Sequence, residues 1–151
     1  MKAFHFNLER ILNLRAYRER EWELKLAEAT GRCVRLRREI DADLKRKAAE
    51  LTRRFERTLN PQVLDISNRY VARLEQQISA NESRLTYAEE ARNEVQRKFL
   101  EAQRDRKVLD KLKERKSEAF IKEERLEEVA EIDDMNTERS AFMKHLGGSG
   151  G

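Results

Sequence analysis

The chain has 151 residues, 41% charged, 38% hydrophobic and 7% aromatic, and its 33 basic and 29 acidic residues leave a net charge of +4. An average globular domain is roughly 25% charged, so there is too little apolar matter here to fill a thick core. Pro61 is the lone proline and Gly31 the lone glycine before the tail. That argues against sheet architectures, which need turn residues every ~8–12 positions, and leaves long helix packed on long helix.

The first residues, Met1-Lys2-Ala3-Phe4-His5-Phe6-Asn7, lack the apolar stretch and cleavage site of a signal peptide. No apolar run approaches the ~18–20 residues of a membrane span. A cytoplasmic protein is therefore expected. Phe4, Phe6, Leu8, Ile11, Leu12 and Leu14 follow closely on one another, and one helix seam does not require so many apolar residues. They serve either to pack the open end of a hairpin or to dock another protein.

The first helix carries an apolar stripe through Trp22, Leu26, Ala29, Cys33, Leu36, Ile40, Leu44, Ala48, Leu51, Phe55 and Leu59. Steps of three and four keep these residues on one face. At Leu59-Asn60-Pro61-Gln62 the pattern breaks. Asparagine is a favoured N-cap, and proline is favoured at the next position, where its missing N–H costs nothing. One helix is thus expected to end near Thr58 and the next to start at Pro61, with the turn at 59–61.

The second helix has its own stripe: Val71, Leu74, Ile78, Asn81, Leu85, Ala88, Arg92, Val95, Phe99, Ala102, Arg106 and Leu109. Its spacing is close to the ~3.5 residues of a left-handed coiled coil. Positions equidistant from the Asn60-Pro61 break match: Trp22 with Phe99, Leu26 with Val95, Cys33 with Ala88, Leu36 with Leu85 and Leu12 with Leu109. Nearer the turn, Leu44 falls opposite Ile78 and Ala48 opposite Leu74. The fold class read from this is all-α: two long helices in an antiparallel coiled-coil hairpin over residues 1–146. The second helix overhangs the first from roughly Glu114 to Leu146, through a weaker and more charged pattern of Ala119, Phe120, Leu126, Val129, Ile132, Met135, Phe142 and Met143. The tail, residues 147–151, reads as a flexible or appended Gly/Ser linker.

No glycine-rich phosphate loop and no zinc-ligand spacing are present, and His5 and His145 sit near opposite ends. The expectation is a non-enzymatic protein with no catalytic residues, metal or cofactor. Cys33, the single cysteine, can form no intrachain disulfide and is read as a small buried seam residue. The densest basic stretch is Arg104, Arg106, Lys107, Lys111, Lys113, Arg115 and Lys116, interleaved with Glu101, Asp105, Asp110 and Glu114. It reads as a solvated helix face, open to an acidic protein surface, rather than as a specific nucleic-acid site.

The chain resembles the FliJ family of flagellar export proteins. Phe4-x-Phe6-x-Leu8-x-x-Ile11-Leu12-x-Leu14-Arg15 looks like the family's opening. Tyr70-Val71-x-x-Leu74-Glu75-x-x-Ile78 looks like its second-helix start, and Val108-Leu109-x-x-Leu112-x-x-Arg115 with Ile132-Asp133-Asp134 looks like its C-terminal part. The resemblance implies a stalk-like coiled coil of the bacterial flagellar type III export apparatus. Such a protein binds and promotes the hexameric export ATPase and contacts the export-gate protein FlhA and export chaperones. It is cytoplasmic and peripheral to the membrane through that apparatus. It further implies docking in the ATPase ring through Phe4, Phe6, Leu8, Ile11, Leu14, Ile132 and Met135, and gate binding through Tyr70, Leu74, Gln77 and Asn81. Gln77 stands where the family pattern has a small residue, and Asn81 where it has a histidine. The alternatives are the equivalent stalk of a virulence type III secretion system and a generic structural coiled-coil adaptor.

Overall fold

In a computed structural model of the protein, residues 2–56 and 60–148 are described. They form two helices, α1 at Glu9–Glu56 and α2 at Pro61–Gly147, joined as an antiparallel coiled-coil hairpin. No strand occurs among the described residues. The Phe55 side chain, the expected helix end at Thr58, seam residue Leu59 and tail residues 149–151 lie outside the described residues.

The start of α2 follows from its first two residues. Asn60 Oδ1 accepts the Gln62 backbone N–H at 3.2 Å, and the Asn60 carbonyl accepts the Leu64 N–H at 3.0 Å. One of the orphan donors of the first turn is thereby satisfied, and Pro61 has none to satisfy. Gly147, expected in the flexible tail, is instead the last helical residue.

Contacts group the chain into two compact units: Arg15–Arg104, and Met1–Leu14 with Asp105–Gly151. The Arg15–Arg104 unit contains the hairpin turn. Its seam on α2 is mostly apolar, with Val71, Leu74, Ile78 and Ala102 buried and Leu85, Ala88, Val95 and Phe99 half-buried, and with Ser67 and Asn81 its buried polar members. On α1, Cys33 is fully enclosed at 0% exposure and Ile40 is buried. Trp22 is half-buried beneath two ammonium groups, Lys25 Nζ at 4.4 Å and Lys98 Nζ at 5.1 Å from its ring centre.

Towards the turn, the structure corrects the expected seam of α1. Leu44 is 45% exposed and Ala48 is exposed, whereas Asp43 is only 6% exposed, Lys47 and Glu50 are half-buried, and Leu51 is half-buried as expected. The alternation of three- and four-residue steps through Cys33, Leu36 and Ile40 simply continues through Asp43, Lys47, Glu50 and Arg54. A run of four-residue steps through Leu44 and Ala48 drifts off the face, because each such step advances 400° around a helix of 3.6 residues per turn. The polar residues are anchored by one bond within α1, Arg46 to Asp43 at 2.9 Å, and by two across to α2, Lys47 to Glu75 at 3.1 Å and Arg54 Nε to Ser67 Oγ at 2.7 Å.

The second unit begins with a short non-helical segment, residues 2–6. It is turned onto α1 by a hydrogen bond from the Glu9 N–H to the Phe6 carbonyl at 3.2 Å. Phe6, Leu12 and Leu109 form its buried cluster, with Phe4, Leu8 and Leu112 packed against it. Phe4 and Phe120 meet at 5.6 Å between ring centres, inclined at 49°. Glu9 pairs with Lys113 at 2.9 Å and Lys2 with Glu127 at 3.6 Å. Past Glu127, every described residue of α2 is exposed, so within this unit α2 runs well beyond the segment that covers it.

Candidate interaction surfaces

In the Met1–Leu14 and Asp105–Gly151 unit, packing takes up some of the N-terminal apolar group and leaves the rest in water. Phe6 and Leu12 are buried and Phe4 and Leu8 are half-buried, spent on packing against Leu109, Leu112 and Phe120. Ile11 and Leu14 are exposed and unspent. Ile132 and Met135 are exposed as well, but they are not brought to that cluster. Ile132 lies 12 residues beyond Phe120, about 18 Å along the helix at ~1.5 Å per residue. The proposed ring-docking residues thus form two separate patches of one unit. Lys116 Nζ lies 6.0 Å from the Phe6 ring centre, and Arg106 pairs with Asp110. The basic stretch of this unit is therefore partly engaged within α2 and with the N-terminal segment.

In the Arg15–Arg104 unit, the proposed gate-binding residues divide by burial. Tyr70 and Gln77 are exposed, Tyr70 at 39%. Leu74, at 3% exposure, and Asn81 are seam residues covered by α1. Asn81 is held on both sides: its Nδ2 donates to Glu39 Oε2 at 3.5 Å, and its Oδ1 accepts from Arg84 at 3.1 Å. A polar groove opens beside it, lined by Glu39, Asp43 and Arg46 of α1 and Arg73, Gln77 and Arg84 of α2. Sequence reasoning missed the α1 side of this groove because it followed apolar residues. An unbroken alternation of three- and four-residue steps past Ile40 would have found its buried member, Asp43. Farther along the same unit, Arg37 pairs with Glu89 across the helices at 2.7 Å. The bond from Arg97 to Glu94, at 2.6 Å, holds that exposed carboxyl below its ordinary pKa.

Among the described residues no group of three or more His, Cys, Asp or Glu side chains is placed to hold a metal ion. Among the same residues no helix is long and apolar enough to cross a membrane. These surfaces offer docking chemistry: apolar side chains in water, bordered by charge.

Comparison with curated proteins and with solved structures returns no match. The sequence profile of a family described as "Flagellar FliJ protein" matches residues 4–142. The match takes in the N-terminal cluster, all of α1, and α2 as far as Phe142. The chain therefore belongs to the FliJ family of flagellar export proteins.

Proposed function

We propose that this protein is a non-enzymatic, stalk-like coiled coil that binds the hexameric flagellar export ATPase and promotes its activity. It couples that ATPase to the export-gate protein FlhA and to export chaperones. It works in the cytoplasm, held peripherally at the inner membrane through the export apparatus. Family membership over residues 4–142 supports the apparatus. The observation that carries the docking reading is the group of large apolar side chains left in water in one unit, Ile11 and Leu14 beside the packed N-terminal cluster and Ile132 and Met135 farther along α2. A chain this highly charged keeps such residues at its surface at a cost in solubility, which a partner removes. Tyr70 and Gln77 provide the second contact, on the other unit.

The role is mechanical and allosteric. A long helical pair seated in a six-fold ring makes unequal contacts with identical subunits and so biases the nucleotide cycle of the ring. The test is addition of the purified chain to its cognate export ATPase. Faster ATP hydrolysis or increased ring assembly is expected, and both effects fall in an Ile11→Asp/Leu14→Asp variant of unchanged helicity. No binding and no change in either quantity would overturn the reading.

A further inference from the structure

From Ile121 onward α2 carries a longer pattern, of which the ring reading uses only Ile132 and Met135. Ile121, Ile132, Met135, Phe142 and Leu146 fall on one face at alternating three- and four-residue steps, with Arg125, Glu128 and Arg139 at the steps between. All five apolar residues are exposed. This is the seam of a coiled coil with nothing packed on it among the described residues. Along one border, seven residues apart, run Glu124, Glu131 and Glu138. None of the three side chains makes a hydrogen bond or ion pair among the described residues. The opposite border has one charge, Lys122 at its start, followed by uncharged Val129, Asn136 and Met143. From Glu118 to Glu138 there are nine carboxylates against only two bases, Lys122 and Arg125, in a chain of net charge +4.

We infer that this seam is a docking surface for an amphipathic helix of another protein, one whose flanking positions carry lysine or arginine. Bordering charges of a coiled coil select its partner. A second copy of this chain satisfies none of them. Paired antiparallel, two such seams set glutamate against glutamate. Paired parallel, they set Glu124, Glu131 and Glu138 against uncharged Val129, Asn136 and Met143. A basic-flanked helix covers the apolar residues and neutralises the whole border at once. The inference shares Ile132 and Met135 with the ring-docking reading but does not rest on it.

The probes are two synthetic four-heptad peptides with the same leucine and isoleucine seam. One has lysine at all flanking positions and the other glutamate. The full-length protein should bind the lysine peptide at least about tenfold more tightly at low salt, and the preference should shrink as salt rises. A Glu124→Lys/Glu131→Lys/Glu138→Lys variant should reverse it, since lysine is as good a helix former as glutamate. A Met135→Ser/Phe142→Ser variant should weaken lysine-peptide binding by about tenfold. The inference is overturned if the peptides bind equally or not at all, or if the triple variant keeps the lysine preference. It is also overturned if the chain dimerises by sedimentation in a way that Met135→Ser/Phe142→Ser abolishes. ATPase stimulation is read separately, so the ring-docking reading and this one can fail independently.

Discussion

Asp43 is buried against α2 while its neighbour Leu44 points into water. This inversion puts a carboxylate where a coiled coil takes its knobs. The Arg46 guanidinium, 2.9 Å away, compensates only part of the cost of burying it. Asp43→Leu is expected to raise stability by about 1–3 kcal/mol, and Leu44→Ala to change it by less than ~0.5 kcal/mol. Urea unfolding followed by helicity checks both. If Leu44→Ala proves the costlier change, the seam has been assigned to the wrong face.

The Phe6, Leu12 and Leu109 cluster is small and holds the N-terminal segment on α2. Leu109→Ala removes its central member and should cost about 2–3 kcal/mol, the lower part of the range for buried leucines because the site is thin and can collapse. Hydrogen exchange should localise the effect, with faster exchange at the first turns of α1 and little change around Ile78.

Cys33 has no accessible surface. Its thiol should react with an aromatic disulfide reagent on the order of a hundredfold more slowly in the native protein than in urea, the native rate being set by local opening of the helix pair. Equal rates would mean that the helices separate readily at their middle.

Tyr70 and Leu74 lie one turn apart but play different parts. Tyr70→Ala should leave unfolding within ~0.5 kcal/mol of the parent and weaken capture by the export gate. Leu74→Ala should lower stability by about 2–4 kcal/mol whatever it does to binding. Pairing calorimetry of gate binding with a thermal melt of each variant separates contact from scaffold.

The hairpin was legible in the sequence wherever apolar residues and seam positions coincide, from Trp22 to Ile40 and from Val71 to Leu109. The turn was legible because Asn60 and Pro61 have few other uses in such a chain. The α1 seam between Ile40 and Glu56 was not legible. There the geometric step and the hydrophobic pattern diverge, and geometry wins because α2 supplies enough apolar surface for both sides. The candidate surfaces were legible as a set of residues but not as an arrangement. Composition alone does not show that Phe6 is spent on Leu109 while Ile11 remains free, nor that α1 contributes Glu39, Asp43 and Arg46 to the groove beside Asn81.

The basic run from Arg106 to Lys116 is followed on the same helix by the acidic run from Glu118 to Glu138. Two opposite blocks of charge in series give this stretch a long-range electric polarity, like a compass needle. A charged partner turns such a stretch to face it before touching it, so ionic strength governs how fast the two find each other more than how long they stay together.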